Sequence, residues 1–270
     1  MSDDVKKRFE IMKFKKMHGL GNDFVIFDAR TENIFLTPED MELIADRHWG
    51  VGCDLITVMD LSENADIQAF FFNADGSDSA ACGNATRCVA DIIMSESGKD
   101  SCAIEAGERI LECHKKGDKL VQVNMGQPKD IREYALAHGG AENPVAVDMG
   151  NPHLVFFVDD LDAIDIEEVG SFFENHEMFP ERTNVEFVQV IDKTHLRQRT
   201  WERGCGITQA CGSGACAVIA AANHRDLADS KVEIELDGGV LQMEITQDNN
   251  ILMTGAVAYV FDGVLNNSEA

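Results

Sequence analysis

The chain repeats one pattern of residues at a fixed distance, and this repeat limits the folds open to it. In GNDFVIF and again in GNPHLVF, an asparagine precedes an apolar run, at Asn22 and at Asn151. A cysteine follows each asparagine by 60 residues, Cys82 in ACGNATRCVA and Cys211 in ACGSGACAVIA. The copies are displaced by 129 residues, just under half of the 270-residue chain. We therefore predict two copies of one fold placed side by side and related by a pseudo-two-fold axis.

Local patterns predict an α+β fold. Thr37, followed by Pro38 and two acids, is typical of a capped helix start, and the helix should end near Gly50. Further helices are predicted after Cys82, over 162–176 and from Cys211 to Asn223, with strands between them. Because helices and strands are intermixed without regular alternation, α+β is favoured over a doubly wound sheet. We predict an N-terminal half over 1–128, a C-terminal half over 129–257, and a tail over 258–270 that could return to the first domain.

The charge of the chain limits its partners. Its 48 acidic and 23 basic residues give a net charge of −25, which disfavours binding to nucleic acid or to anionic membranes. No apolar run approaches the ~18 residues of a membrane span, and the first residues do not resemble a signal peptide. We therefore expect a cytoplasmic protein whose eight cysteines are reduced.

Each repeated cysteine should lie at the start of a helix. There the unpaired N–H groups and the helix dipole favour a thiolate, so we expect a lowered thiol pKa at Cys82 and Cys211. The N–H groups of Gly83-Asn84 and of Gly212-Ser213 should bind a carboxylate. The symmetry of the repeat should bring both sites to a cleft between the domains, where ligands commonly bind.

Two thiols on opposite sides of an amino-acid α-carbon would invert its configuration. A thiolate would remove the α-proton and the opposite thiol would return one, so the sequence predicts a racemase or epimerase that needs neither metal nor pyridoxal cofactor. A redox pair is the competing interpretation, although no C-x-x-C is present. Zinc is disfavoured because the spacings to the next cysteines match no usual ligand pattern. The other cysteines are interpreted as packing residues: Cys53, Cys88, Cys102, Cys113, Cys205 and Cys216.

Five segments in order resemble the diaminopimelate epimerase family: MHGLGNDFVIFD, FFNADGSDSAACGNATRCVA, MGNPH, ERTNVEFV and WERGCGITQACGSGACA. The likeness covers about Met12 to Gly263, after an N-terminal extension of eleven residues. It implies two similar α/β domains with the active site between them. It also implies a cofactor-independent two-base epimerase that interconverts LL- and meso-diaminopimelate for lysine and peptidoglycan synthesis. Members of the family are often dimers, so the resemblance also suggests a homodimer.

The resemblance also assigns site residues. Cys82 matches the proton donor and Cys211 the acceptor, with roles that swap with direction, while His153 and Glu202 match positions that orient the reacting centre. Arg203 would pair with the distal carboxylate, and asparagine carbonyls would accept from the ammonium. The positions that match substrate contacts are Asn22, Asn73, Gly83, Asn84, Asn151, Asn184, Glu202, Arg203, Gly212 and Ser213.

The sequence alone leaves alternatives open. Without the motifs, Arg203 would be interpreted as a surface charge and His153 as a packed core histidine. Leu55 stands where the family usually has Gln or Gly, which could weaken a distal contact or alter substrate choice. A racemase of another amino acid, such as histidine, would leave Arg203 without a carboxylate partner. A thiol redox protein or an amino-acid-binding protein is the alternative from another class.

Overall fold

The structure is a computed structural model that describes residues 12–79 and 82–265. The N-terminal extension, residues 80–81 and the last five residues of the predicted tail lie outside the described residues. Four α-helices are present in the described parts: α1 (Pro38–Ala45), α2 (Gly83–Ser97), α3 (Ile166–Glu174) and α4 (Gly212–His224), with a short 3₁₀ helix at Leu161–Ala163. Within these residues, no helix is both long and apolar enough to cross a membrane.

The remaining elements of the described residues are β-strands. Those before α3 are β1 (Met12–Gly19), β2 (Asn22–Asp28), β3 (Leu55–Asp60), β4 (Ile67–Asn73), β5 (Ser101–Ala106), β6 (Arg109–Gly117), β7 (Leu120–Asn124), β8 (Asp130–Glu133), β9 (Ala137–His138), β10 (Ala141–Glu142), β11 (Val145–Asp148) and β12 (Pro152–Phe157). Those after it are β13 (Asn184–Val190), β14 (His195–Glu202), β15 (Gly206–Thr208), β16 (Lys231–Leu236), β17 (Gly239–Ile245), β18 (Ile251–Ala256) and β19 (Ala258–Leu265).

The chain forms two compact units. Among the described residues, the first contains 12–19, 23–79, 82–112 and 257–265, and the second contains Leu20–Asn22 and Cys113–Ala256. The chain thus passes from the first unit to the second within β6. The division into duplicated halves at residue 128 stays a prediction.

The two units repeat one topology. In the first, β2 pairs parallel with β3, β3 antiparallel with β4, and β4 parallel with β5. In the second, the same three relations join β12 to β13, β13 to β14, and β14 to β16. The strands that begin at Leu55 and Asn184 are 129 residues apart, as are the helices that begin at Gly83 and Gly212. The predicted α+β fold with a duplicated unit is confirmed.

The first helix starts where its sequence predicts and ends earlier. The Thr37 hydroxyl accepts from the Asp40 N–H at 3.3 Å, and the Asp40 carboxylate accepts from the Thr37 N–H at 2.9 Å, which forms a capping box. The helix ends at Ala45 rather than near Gly50. The cause is Asp46, whose carboxylate accepts from the N–H groups two and three residues later, both at 2.7 Å, and so stabilises a turn in place of another helical turn.

Equivalent helices cover equivalent strands in the two cores. In the first unit, α1 packs on β2 and β3 in a cluster that contains Phe14, Val25, Phe27, Met41, Ile44, Ala45, Cys53 and Ile56. In the second, α3 packs on β12 and β13 in a cluster that contains Leu154, Phe156, Ile166, Val169, Phe173, Val185 and Phe187. Burying these side chains supplies the main stabilisation of each unit.

The helices that follow Cys82 and Cys211 are buried on most sides. From Gly212 to Ala222 of α4, only Ser213 is not fully buried, and the helix contacts β11, β12, β13, β17 and β18. Its glycine, alanine and cysteine side chains are short, so the strands approach the helix closely. The start of α4 is therefore held in place by the core of its unit.

A charged network joins the ends of β2 and β3 in the first unit. Asp23 accepts from Lys16 at 2.5 Å and from Arg47 at 2.8 Å, and Arg47 also pairs with Asp54 at 2.7 Å. Burial acts to raise the pKa of Asp23, but the hydrogen bonds from Arg47 and Lys16 outweigh it and lower the pKa to about 2. The network fixes the backbone where these two parallel strands begin.

The last described strand pairs with the first. β19 runs antiparallel to β1, from Met12 opposite Leu265 to His18 opposite Ala258. Gly263 allows this contact, since a Cβ there would lie 2.1 Å from the ring of Phe14. The first unit is therefore assembled from both ends of the described chain.

Candidate active site

Cys82 immediately precedes α2 in the first unit. Its backbone is extended, with φ −92° and ψ 112°, and its side chain is half-buried. The helix begins because the N–H and the hydroxyl of Thr86 both donate to the Cys82 carbonyl at 2.8 Å. Gly83 and Asn84 form the buried first turn, where N–H groups have no partner within the helix. The structure thus places this predicted thiol and its predicted carboxylate cradle on consecutive residues at a helix start.

Cys211 precedes α4 in the second unit with nearly the same backbone, φ −112° and ψ 109°. It is buried, and its sulfur accepts from the Gly214 N–H at 3.4 Å and lies 3.7 Å from the Ser213 hydroxyl. A Cβ at Gly214 would lie 2.7 Å from a carboxylate oxygen of Glu186 and 3.2 Å from the Cβ of Cys211. Only glycine allows the helix start to approach these groups so closely.

A chain of polar contacts links β12, β13 and the start of α4. His153 Nδ1 lies 2.7 Å from Glu186 Oε1, and both side chains are fully buried. His153 Nε2 lies 3.1 Å from Asn151 Oδ1, and the Asn151 amide donates to the Ser213 hydroxyl at 3.3 Å. The parallel register of β12 and β13 brings the histidine and the glutamate together. Two predicted site residues, His153 and Asn151, are therefore connected to Ser213, which contacts the Cys211 sulfur.

The environment of Cys211 opposes ionisation. Burial raises the pKa of the Cys211 thiol well above its usual value, and the charges of Glu202 and Glu186 raise it further. The N–H of Gly214 and the hydroxyl of Ser213 act in the opposite direction but do not outweigh these effects. The prediction of a lowered thiol pKa is therefore wrong for Cys211, whose surroundings raise the pKa and favour the neutral thiol.

Glu202 shares this environment. Burial raises the pKa of its carboxyl, while the Thr208 hydroxyl and the Cys211 thiol act to lower it. The Thr208 hydroxyl donates to Glu202 Oε1 at 2.5 Å, across the hairpin formed by β14 and β15. Glu202 is thus a carboxylate with raised proton affinity beside a thiol.

The turn after Glu202 carries Arg203. The Arg203 N–H donates to Asn184 Oδ1 at 3.0 Å, and the Asn184 amide donates to the Pro152 carbonyl at 2.9 Å. The Arg203 guanidinium is exposed and donates to the Glu181 carbonyl at 3.1 Å. The structure therefore brings Asn184 and Arg203 together, with the guanidinium accessible to a ligand.

The other predicted contacts lie at strand ends. Asn73 ends β4 opposite Leu55 of β3, and its amide donates to the Ser77 hydroxyl at 3.0 Å. Asn22 is the first residue of β2 and is buried. Five cysteines interpreted as packing residues are buried as expected, whereas Cys205 is exposed in the turn after Arg203.

Sequence reasoning missed several polar residues of this region: Glu174, Glu186, Gln198 and Thr208. The sequence did contain a signal for Glu186. It is the one charged residue in the strand NVEFVQV, and among the first five positions of that strand only Asn184 and Glu186 are polar. A charge at a buried strand position calls for a polar partner, which His153 supplies.

Comparison with known proteins agrees with this geometry. The sequence profile described as diaminopimelate epimerase matches residues 14–131 and 145–260. The chain belongs to the diaminopimelate epimerase family. Family membership makes it an isomerase, and the two matched segments correspond to the duplicated topology.

Relatives in this family match almost the whole chain. A diaminopimelate epimerase of Acidiphilium cryptum is 46% identical over 264 residues, covering 93% of this chain and 95% of the relative. One of Rhodospirillum centenum is 44% identical, covering 96% and 94%. Among solved structures, a hydroxyproline epimerase from Agrobacterium vitis superposes with a TM-score of 0.72 at 13% identity, covering 96% of this chain and 93% of that one. At that identity the similarity shows the fold.

Proposed function

We propose that the protein interconverts LL-2,6-diaminopimelate and meso-2,6-diaminopimelate by proton transfer at the α-carbon, with Cys82 and Cys211 as the two bases. One observation carries the proposal. The chain belongs to this family, and in each duplicated unit a cysteine immediately precedes the equivalent buried helix. The two cysteines, Cys82 and Cys211, are 129 residues apart and have nearly the same backbone conformation. The other cysteines have no such equivalent pair.

The chemistry requires one thiolate and one thiol. The thiolate takes the α-proton, so that its S–H bond forms as the C–H bond breaks, and the electron pair is delocalised into the substrate carboxylate. The opposite thiol then delivers its proton to the other face, which forms the new C–H bond and leaves a thiolate. The N–H groups of Gly83, Asn84, Gly212 and Ser213 support this step by stabilising the charge that develops on the carboxylate.

Glu202 receives the Cys211 proton when Cys211 acts as the base. Cys211 starts as a neutral thiol because burial and nearby carboxylates raise its pKa. Glu202 interacts with this thiol, and burial raises the pKa of its carboxyl, which increases its tendency to accept the proton. The α-ammonium group of the bound substrate then stabilises the thiolate by charge. The His153–Glu186 pair orients Asn151, and the Asn151 amide in turn holds the Ser213 hydroxyl beside the sulfur.

The distal end of the substrate is recognised by Arg203, Asn184 and the remaining asparagines. The exposed guanidinium of Arg203 would bind the distal carboxylate through two hydrogen bonds. The Asn184 carbonyl already accepts the Arg203 N–H at 3.0 Å, and its second lone pair can accept from an ammonium. Asn22, Asn73 and Asn151 supply further amide groups. Leu55 offers no hydrogen bond beside Asn73, so the hydrogen bonds to the distal group come from other residues.

We also propose that the protein works as a homodimer in the cytoplasm. The dimer follows from the resemblance to a family whose members are often dimers. The location is supported by the eight thiols of the chain, none of which is joined in a disulfide in its described part. Sedimentation of the purified protein tests the assembly, and fractionation of the source cells tests the location.

Deuterium exchange at the α-carbon tests the function. Purified protein in D₂O, with reductant, should convert LL-diaminopimelate to the meso form with one α-deuterium per inversion. Cys82→Ala and Cys211→Ala should each lower turnover by about 10²-fold or more. Cys102→Ala, which removes a buried thiol on β5, is the matched control and should leave turnover nearly unchanged.

Three outcomes would contradict the proposal. Wild-type protein that leaves diaminopimelate unchanged but racemises histidine would indicate a relative with another substrate. Turnover that survives either cysteine change would exclude the two-base mechanism. A protein that only cycles between dithiol and disulfide would indicate a redox function.

A further inference from the structure

Glu174 is a buried carboxylate in a position that its own helix does not favour. It is the last residue of α3, and its side chain is 6% exposed. The C-terminal end of a helix carries partial negative charge, so an acidic residue there is unfavourable. Burial of an ionised group adds a desolvation cost. Its stabilisation must therefore come from tertiary partners.

Those partners lie on both sides of the Glu202-Arg203 dipeptide. Glu174 Oε2 accepts from the indole N–H of Trp201 at 2.6 Å, and Glu174 Oε1 accepts from the backbone N–H of Gly204 at 2.8 Å. Arg182 forms an ion pair with the carboxylate, with 3.2 Å between its guanidinium and Glu174 Oε1. One side chain thus holds the residue before this dipeptide and the residue after it.

The backbone on both sides of Arg203 is held by side chains. Gly204 has φ +79°, and Arg182, which faces it, has φ +60°. A Cβ on Gly204 would lie 3.2 Å from the Arg182 guanidinium. The Arg203 N–H is bound by Asn184, and the next N–H is bound by Glu174. Both peptide groups that flank Arg203 are therefore fixed by side chains of other elements.

We propose that Glu174 is a positioning residue that holds the Arg203 turn in the geometry that binds the distal carboxylate. The inference rests on the proposed function and specifies how its distal subsite is built. Glu174 does not contact the substrate. It accepts hydrogen bonds that fix where the Arg203 backbone lies, and this limits the positions that the guanidinium can reach.

Steady-state kinetics of Glu174→Gln, Arg203→Ala and the double variant test the proposal. The glutamine keeps the shape of the side chain but removes its charge and one acceptor. We expect a KM for diaminopimelate raised about tenfold to hundredfold with kcat within about threefold, because binding to a remote substrate group is lost. In the Arg203→Ala background the same change should alter KM less than about twofold, since both act through one turn. Glu168→Gln, on the same helix but half-exposed and bound to His138, is the matched control.

Three kinetic results would overturn the proposal. The first is an unchanged KM in Glu174→Gln. The second is a loss of kcat alone, which would indicate a merely structural role. The third is a KM in the double variant that equals the product of the two single effects. If Glu174→Gln does not fold, Trp201→Phe removes one donor and should raise KM by a smaller factor. An unchanged KM in that variant would count against the proposal.

A second measurement does not depend on the substrate. Backbone hydrogen exchange over the turn that contains Gly204 should be about tenfold faster in Glu174→Gln than in wild type, because the N–H loses a charged acceptor. Unchanged exchange would overturn the positioning role. Wild-type protein that does not epimerise diaminopimelate would instead refute the proposed function, and exchange alone would then decide the role of Glu174.

Discussion

The buried pair of His153 and Glu186 allows a quantitative prediction about stability. Their side chains are fully buried, with 2.7 Å between Nδ1 and Oε1, and within the described residues no group donates to Glu186 Oε2. His153→Phe keeps a ring of similar size but leaves the carboxylate without its donor. Removing one partner of a buried pair costs about 3–5 kcal/mol. For a chain of this size the unfolding midpoint should fall by roughly 6 to 20 °C.

A double variant separates the loss of the pair from the loss of packing. In His153→Phe/Glu186→Met the charge is replaced by an apolar side chain of similar volume, so most of the lost stability should return. Thermal and urea unfolding of the wild type, both single variants and the double variant give the coupling free energy. A loss below about 1 kcal/mol for His153→Phe, or a double variant no more stable than that single variant, would refute the reasoning.

Three more predictions follow from the two units. Without ligand, Cys211 should react with iodoacetamide more slowly at pH 8 than free cysteine does, because its pKa is raised. Glu202→Gln should speed this reaction, because one nearby negative charge is lost. A rate equal to that of free cysteine would contradict the raised pKa. Gly214→Ala should lower the free energy of unfolding in urea by about 1–3 kcal/mol, because the added Cβ would lie 2.7 Å from a buried carboxylate oxygen. Gly117→Ala is the control and should be nearly neutral, because its Cβ would lie 3.6 Å from the nearest atom. The pKa of Asp23 is lowered to about 2, so its carboxylate should contribute roughly 2 kcal/mol of stability above pH 4. This contribution should be lost as the pH falls toward 2. Acid unfolding curves of Asp23→Asn should lack this part of the pH dependence.

Features set by local or repeated residues could be predicted from the sequence. The equal spacing of Asn22 to Cys82 and of Asn151 to Cys211 predicted a duplication, and equivalent elements indeed begin 129 residues apart. Thr37 marked a helix start correctly because a capping box depends on residues three positions apart.

Features that depend on distant residues could not be predicted. The pKa of Cys211 is set by burial and by Glu186 and Glu202, which lie on strands that precede it in sequence and meet it only in the folded unit. Glu174 was missed because its position is unfavourable for its own helix, and its stabilising partners lie on other elements. Local patterns carry no information about such contacts.

The pairing of β19 with β1 also affects the order in which the protein can fold during translation. Lys15 and its partner Asp262 are separated by 247 residues, which corresponds to roughly 12 to 50 s of synthesis at 5–20 residues per second. Every residue of the second unit has been synthesised before β19 leaves the ribosome. The first strand must wait through that interval with one edge uncovered, and an uncovered edge is a site for pairing with other chains.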